Sequence, residues 1–241
     1  DFENGYSTLE PTYMESVIWG FKQLWDKGLV YEGYRVLPYC WNDQTPLSNH
    51  ELRMDDEVYQ DRQDTTVTVG LRMESGELAL IWTTTPWTLP ANLAIAVGPD
   101  VDYVTVAPEE GPLVGEKVLL AKALVGAYEK ELGENPPVVA EYKGSELEGK
   151  RYNPIFDYFS RDDDRPGPNA WTFRTADYVS VDDGTGLVHI APYGEEDMFV
   201  LADADIKVVE TVDPAGKFMA NTPDYQGVNV FDANRPIIND L

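Results

Sequence analysis

The segment at residues 78–92 constrains the fold of this chain more than any other. An apolar run that includes Ile81 meets four threonines within six residues, and two prolines, Pro86 and Pro90, interrupt the second half of the segment. Proline cannot donate a hydrogen bond to a strand ladder, so the strand must end here and open into a rigid turn. Threonine is common in strands, but a threonine run that continues through prolines indicates hydroxyls directed at whatever lies beyond the strand end.

Hydrophobic periodicity predicts a mixed α/β fold that is mainly β. Apolar and polar residues alternate from Thr65 to Met73, and a Ser-Gly-Glu turn then leads into residues 78–85, which is typical of a β-hairpin. Many short strands with few helices favour a β-barrel-like core, closed or nearly closed, with peripheral helices. Further strands are predicted at residues 93–97, 103–107, 138–142, 171–181, 186–191 and 207–212, and helices at about 121–132 and 195–204.

The chain divides by its patterns into three segments. Residues 1–60 carry a capping-box sequence, an amphipathic helix that should stop at Gly28, and one or two strands over residues 29–41. We interpret them as a helix and strand linker, residues 61–213 as the β-barrel, and residues 214–241 as a return linker. Both ends look like cuts within a longer protein, so we expect this chain to be a segment of one.

Composition excludes several classes of protein. With 241 residues and 43% hydrophobic content, the chain can bury a sizeable core. Cys40 is the single cysteine and only two histidines accompany it, so neither an internal disulfide nor a zinc knuckle can form. No apolar run approaches the length of a membrane helix, and nothing resembles a leader peptide. We therefore predict a cytoplasmic protein with no membrane partner and no metal.

The charge opposes any simple role in binding nucleic acid. Eighteen basic residues stand against 43 acidic ones, which leaves a net charge of −25. Such a field repels a polyphosphate, and free-standing nucleic-acid binders usually carry the opposite sign. If a nucleic acid is the partner, this chain should receive only its tip, and other domains should supply the affinity.

A second unusual block lies about ninety residues after the first. Its sequence, Gly-Thr-Gly-Leu-Val-His-Ile-Ala-Pro at residues 184–192, precedes Gly-Glu-Glu-Asp at residues 194–197. Taken singly, these residues have ordinary explanations: the glycines form a tight turn, His189 is a structural histidine, and Asp197 is a first-turn acid favoured by a helix N-terminus. Only their occurrence together with the threonine-rich turn indicates a site.

The two blocks together resemble the editing domain of isoleucyl-tRNA synthetases, the inserted domain of these class I enzymes. The string at residues 82–92 is typical of that family, whereas valyl and leucyl relatives have Arg-Pro where this chain has Thr85-Pro86. The flanks, which include residues 25–30 and 232–238, resemble the eukaryote-style branch, which lacks the zinc-binding cysteines beside the insertion. The interval between His189 and Asp197 is one residue shorter than in many relatives. Neither synthetic motif, His-x-Gly-His or Lys-Met-Ser-Lys-Ser, occurs in the sequence.

The resemblance implies an aminoacyl-tRNA ester hydrolase that removes valine from mischarged isoleucine tRNA, and it leaves open whether valyl-adenylate is a second substrate. Thr83 and Thr84 would contact the terminal adenosine and the ester and orient the attacking water. Asp197 would bind the α-ammonium group of the substrate. Asn92 would either brace the turn or contact the substrate. The residues expected to shape the side-chain pocket are Thr85, Trp87, Thr88 and His189.

The same resemblance implies the partners and the alternatives. The partners would be the 3′ end of isoleucine tRNA carrying valine and the remainder of the synthetase, with the chain itself monomeric. No cofactor is expected in this region, although the whole synthetase uses ATP and Mg²⁺. One alternative is a valine- or leucine-type editing domain, which Thr85 disfavours. Another is a non-catalytic module that binds the acceptor end of tRNA.

Overall fold

The computed structural model describes residue 5 and residues 7–53, 59–161 and 165–241. The chain forms two compact units, residues 1–35 and residues 36–241. The segment boundaries predicted at residues 60 and 213 remain predictions. Within the described ranges, no helix has both the length and the apolar character needed to cross a membrane.

In the described part of the first unit, helix α1 spans Pro11–Asp26 as the periodicity predicts. Pro11 occupies the first turn, where its missing N–H costs nothing, and Gly28 ends the helix with a φ of +69°. The large apolar side chains of α1, among them Ile18 and Trp25, are exposed.

The second unit is built mainly from short strands. Its helices are α2 (Glu129–Leu132), α3 (Glu195–Asp203) and α4 (Val230–Asp240). Its strands are β1 (Tyr39–Cys40), β2 (Thr45–Pro46), β3 (Val67–Arg72), β4 (Leu78–Thr83), β5 (Ala94–Val97), β6 (Asp102–Val106), β7 (Val118–Ala121), β8 (Val138–Lys143), β9 (Thr172–Thr175) and β10 (Leu187–Ile190).

The ten strands found among the described residues lie in three sheets. A five-stranded sheet has the order β3-β4-β7-β6-β8, in which only the β4–β7 pair is parallel. A three-stranded sheet has the order β10-β5-β9, with β5 antiparallel to β10 and parallel to β9. β1 and β2 form a small antiparallel pair. The predicted fold class, mixed α/β and mainly β, is confirmed, but among the described residues the ladders do not join into one closed barrel.

Several predicted elements are confirmed and others are wrong. The hairpin is present as β3 and β4, and the helix predicted at 195–204 is α3. The helix predicted at 121–132 is a 3₁₀ helix, Lys122–Tyr128, followed by α2. The strand predicted at 207–212 is wrong, since of these residues only Val212 forms a bridge, an isolated one to Phe218. The strand predicted at 171–181 shortens to β9, and the strands expected over residues 29–41 reduce to β1.

The core of the second unit lies around β4, β5 and β7. Every residue of β5 and of β7 is buried, as is most of β4, because packing covers these central strands on both faces. Ile81, Ile95, Leu119 and Phe173 are among the fully buried side chains. This core fixes the end of β4 and the whole of β10, which carry the threonine-rich block and the Gly-Thr-Gly block.

Candidate active site

The two sequence blocks meet in a cavity of about 480 Å³. The end of β4, the turn after it, β10 and the start of α3 all contribute to its walls. This volume lies within the usual range for small-molecule sites. Of the eight residues predicted for the site, the cavity is lined by seven: Thr83, Thr84, Thr85, Trp87, Thr88, His189 and Asp197.

The threonine-rich turn is held by its own hydroxyls and by a short helix. Thr83, buried at the end of β4, accepts a hydrogen bond at Oγ1 from the Thr85 N–H at 3.1 Å, and the Thr85 hydroxyl lies 3.2 Å from the same oxygen. Pro86 then begins a 3₁₀ helix that extends to Ala91, which confirms the predicted rigid turn. Thr84 and Thr85 are exposed residues and both line the cavity.

His189 is fixed by hydrogen bonds at both ring nitrogens. Its Nε2 lies 2.9 Å from Oγ1 of Thr88, and its Nδ1 lies 2.8 Å from Nδ2 of Asn92. The Asn92 amide nitrogen also donates to the carbonyl of Ala94 at 3.1 Å, and a carbonyl can only accept. Nδ1 of His189 therefore accepts, so we assign the ring proton to Nε2, which donates to Thr88.

These bonds determine what His189 can do. Burial lowers the pKa of the imidazole to about 4, so the ring is neutral at physiological pH. Because both nitrogens are already engaged, the ring has no free lone pair with which to take a proton from water. His189 is thus arranged as a wall of the cavity. Asn92 does not line the cavity and lies behind that wall, where it contacts His189.

Asp197, from the second sequence block, supplies a carboxylate to the cavity lining. It lies in the first turn of α3, and its Oδ2 accepts a hydrogen bond from the Ala191 N–H at 3.3 Å. A Cβ at Gly194 would lie only 3.2 Å from the carboxyl carbon, so the glycine leaves room for this side chain. Burial raises the pKa of Asp197 to about 6, the nearby Glu196 adds to the rise, and the Ala191 hydrogen bond opposes it. A cationic ligand group beside Asp197 would stabilise the ionised carboxylate, which burial disfavours.

The glycines of the second block allow two strands to approach closely. Gly184 and Gly186 have φ values of +67° and +74°, in the left-handed region that favours glycine. A Cβ at Gly186 would lie 2.4 Å from the Cβ of Ala121, and the Ala121 N–H bonds the Thr185 carbonyl at 2.9 Å. The predicted tight turn beside the site is confirmed, and its role is to join β10 to the end of β7.

Sequence reasoning missed three tyrosines at or behind the cavity. Tyr178 lines the cavity and hydrogen-bonds Asp197. This bond partly opposes the rise in the pKa of Asp197 that burial causes. The Tyr193 ring lies 4.7 Å from the Trp87 ring, so these two aromatic residues form one side of the cavity. Tyr152 lies behind Asn92. Only Tyr193 had a sequence signal, since it falls in the short interval between His189 and Asp197.

The described residues contain no group of three or more His, Cys, Asp or Glu side chains arranged to hold a metal ion.

Comparison with known proteins gives three results. The family model described as tRNA synthetases class I (I, L, M and V) matches residues 1–224. The isoleucine–tRNA ligase of Bifidobacterium longum (strain NCC 2705) is 59% identical over 248 residues, which cover 100% of this chain and 22% of the relative. The isoleucine–tRNA ligase of Mycobacterium tuberculosis (strain CDC 1551 / Oshkosh) is 55% identical over 250 residues, which cover 100% of this chain and 23% of the relative. The chain thus spans less than a quarter of the length of these two relatives.

Among solved structures, a similar chain is the editing domain of the P. falciparum cytosolic leucyl-tRNA synthetase. The TM-score is 0.37 at 11% sequence identity, and the match covers 47% of this chain and 41% of that one.

Proposed function

Because the chain belongs to the class I tRNA synthetases (I, L, M and V), we propose that it is the editing domain of an isoleucyl-tRNA synthetase. Its reaction is hydrolysis of the ester that joins valine to isoleucine tRNA, with valyl-adenylate as a second substrate. The observation that carries the proposal is the cavity in which both sequence blocks meet, lined by the threonines of one block and the half-buried carboxylate of Asp197 from the other. The identity of the cited relatives, which are isoleucine–tRNA ligases, supports isoleucine as the parent amino acid.

An editing site is needed because binding alone separates valine from isoleucine poorly. One methylene group in an apolar pocket is worth only about 1–3 kcal/mol, and isoleucyl-tRNA synthetase is the standard example of this limit and of a second sieve. The second sieve must accept valine and exclude the larger isoleucine. A small cavity with a rigid wall meets this requirement.

Asp197 is suited to hold the α-ammonium group of the substrate. The carboxylate is half-buried and its pKa is raised, so it lacks a full set of partners for its charged form. A charge-assisted hydrogen bond to an ammonium group restores that stabilisation. In this position the ammonium fixes the ester carbonyl relative to the opposite wall, and such orientation can supply much of a rate enhancement.

The threonine-rich turn is suited to hold the ester and the attacking water. Thr83 and Thr84 both line the cavity, and the Thr83 hydroxyl also braces the turn by accepting the Thr85 N–H. A hydroxyl can donate to the ester carbonyl and accept from water at the same time. The aminoacyl ester is already activated, so water attacks it directly and the alcohol of the tRNA leaves without a covalent enzyme intermediate.

Thr88 and His189 form the wall that we assign to side-chain selection. Both are buried, and they are hydrogen-bonded to each other. Trp87 and Tyr193 close the adjacent side. Movement of this wall would require the breaking of buried hydrogen bonds, so a larger side chain meets overlap that the wall cannot easily relieve.

The remaining assignments derive from the parent enzyme. The partners are the 3′ end of isoleucine tRNA and the rest of the synthetase, and the compartment is the cytoplasm. Tight attachment of tRNA belongs to other domains, since this chain carries a net charge of −25.

A deacylation assay tests the proposal. The chain, at high concentration, is incubated with valyl-, threonyl- and isoleucyl-tRNA carrying the isoleucine anticodon, each at the same concentration. We expect hydrolysis of the valyl ester and survival of the isoleucyl ester. Equal hydrolysis of both contradicts the size selection. Absence of hydrolysis, with retained binding of the acceptor end, favours the non-catalytic module instead.

A further inference from the structure

The hydrogen bonds at His189 continue into the core beyond Asn92. The Tyr152 hydroxyl donates to Oδ1 of Asn92 at 2.7 Å, and Tyr152 is 3% exposed. At the other end, the Thr88 hydroxyl donates to the Thr85 carbonyl at 2.8 Å. Four hydrogen bonds therefore run in series from Tyr152 through Asn92, His189 and Thr88 to the backbone of Thr85.

Every bond in this series has one direction. Ala94 fixes the amide nitrogen of Asn92, so Oδ1 must be the atom that accepts from Tyr152. The ring proton of His189 is then on Nε2, and Thr88, which accepts it, has its own proton free for the Thr85 carbonyl. The backbone of Asn92 is held as well, since the indole N–H of Trp171 donates to its carbonyl at 3.1 Å.

We propose that Tyr152 and Asn92 are positioning residues for the selective wall, which hold His189 as one tautomer in one orientation and thereby hold Thr88. Neither residue lines the cavity. Their effect on hydrolysis rests on the proposed editing function, whereas their effect on the His189 tautomer does not.

The series matters because exclusion of one methylene group requires a wall that does not relax. A histidine ring with two free nitrogens can rotate or exchange its proton, and the space beside it then changes. A buried network in which every member is satisfied removes that freedom. The residues that give the wall its rigidity are therefore found behind it, in the core.

The direct test is the tautomer of His189 in the ¹⁵N-histidine-labelled chain. The sequence has only two histidines, so a His50→Gln variant assigns the signals. Long-range ¹H–¹⁵N correlations near neutral pH should show one neutral form with the proton on Nε2. A proton on Nδ1, or a mixture of both forms, overturns the proposal.

Tyr152→Phe tests the far end of the series. It removes one hydroxyl and keeps the ring that packs edge-on against Phe173 at 6.0 Å. We expect the His189 signals to shift or broaden, and the ratio of valyl to isoleucyl ester hydrolysis to fall roughly three- to tenfold, the range expected for one neutral hydrogen bond. The rate on saturating valyl ester should stay close to that of the unmodified chain.

Tyr225→Phe is the matched control. Tyr225 is also 3% exposed, and its hydroxyl bonds Asp240 at 2.8 Å, outside the series. It should lose comparable stability while the hydrolysis ratio and the His189 signals stay unchanged. A similar fall in the ratio for Tyr225→Phe, or an unchanged ratio and spectrum for Tyr152→Phe, overturns the proposal.

Asn92→Asp reverses the bond at Nδ1, because a carboxylate can only accept. The proton of His189 should then be found on Nδ1. If this variant does not fold, the result for Tyr152→Phe alone decides whether the positioning role is correct. Failure of the unmodified chain to hydrolyse valyl-tRNA overturns the editing function, and the spectra of the variants then decide the positioning role independently.

Discussion

Thr88 and His189, 101 positions apart in the chain, share a 2.9 Å hydrogen bond within the cavity wall. The bond joins the 3₁₀ helix after β4 to strand β10, and both side chains are buried. Two residues that the sequence suggests as separate pocket residues are therefore one structural unit, and replacement of either one alters the other.

Thr88→Ala should relax the size selection so that isoleucyl-tRNA becomes a substrate. The change enlarges the cavity and leaves Nε2 of His189 without its acceptor. Overlap with one extra methylene costs about 1–3 kcal/mol, so we expect the valyl to isoleucyl rate ratio to fall by about tenfold or more. Initial rates on both esters, for this variant and the unmodified chain, measure the effect.

Thr88→Ser separates the two contributions of this side chain. Serine keeps the hydroxyl that bonds His189 and Thr85 but lacks the methyl group. An intermediate ratio would assign part of the selection to the methyl group and part to the hydrogen bonds. If both variants keep the original ratio, the selection lies elsewhere in the cavity, with Trp87 as the next candidate.

Asp197→Asn should slow hydrolysis strongly while the fold is retained. The amide can still accept the hydrogen bond from Ala191, but the charge that would hold the ammonium is lost. A hydrogen bond to a charged group is worth about 1.5–3 kcal/mol, so the rate should fall roughly tenfold to a hundredfold. Glu195→Gln, an exposed acid of the same helix turn, is the matched control and should keep full activity. Normal hydrolysis by Asp197→Asn would show that this residue only stabilises the start of α3.

Hydrolysis should also weaken as the pH falls through about 6. Burial raises the pKa of Asp197 to about 6, so below that pH the carboxyl is protonated and no longer pairs with an ammonium. His189, whose pKa is lowered to about 4, stays neutral over the same range. The enzymatic rate constant, corrected for uncatalysed ester hydrolysis, should therefore show one ionisation near pH 6. A rate that is independent of pH across this region would contradict the role of Asp197.

His189 and Asp197 should affect the pH dependence of the free energy of unfolding in opposite directions. The His189 pKa is lower in the folded chain than its ordinary 6.5, so its contribution is present above pH 6.5 and is lost as the pH falls towards 4. The Asp197 pKa is raised from 3.8, so its contribution is present at low pH and is lost as the pH rises through about 6. In Asp197→Asn only the first effect remains, and the free energy of unfolding should fall more steeply below pH 6.5. His189→Gln should reduce that slope.

The sequence predicted the parts of the site that are encoded locally. The threonine run, the two prolines and the Gly-Thr-Gly turn each have a short-range physical meaning, and the structure contains the turns that they predict. The start of α3 is also predicted by local signals. These features place Thr83 at a strand end and Asp197 in a helix turn.

The pairing between distant segments could not be predicted from the sequence. Asn92 and His189 are 97 positions apart, and Tyr152 and Asn92 are 60 apart, so no local pattern links them. Strand β7 was missed because its four apolar residues adjoin a helical pattern. Its parallel pairing with β4 depends on tertiary contacts that no local pattern encodes. A strand was wrongly predicted at 207–212 because an apolar pattern does not guarantee a partner strand.

The isolated chain should bind intact tRNA weakly, even though we propose that it acts on tRNA. Most of the affinity of a protein for nucleic acid comes from Lys and Arg side chains that neutralise phosphates. A chain with a net charge of −25 can neutralise few phosphates. Among the described residues that line the cavity there is no lysine or arginine, while Asp183 and Asp197 both contribute acid groups. Titration at a salt concentration of about 150 mM should therefore show no submicromolar complex. Lower salt should help little, because the repulsion is then less screened. A tight complex whose affinity falls steeply with salt would show that the basic residues form a phosphate-binding surface, and the chain would then recruit tRNA by itself.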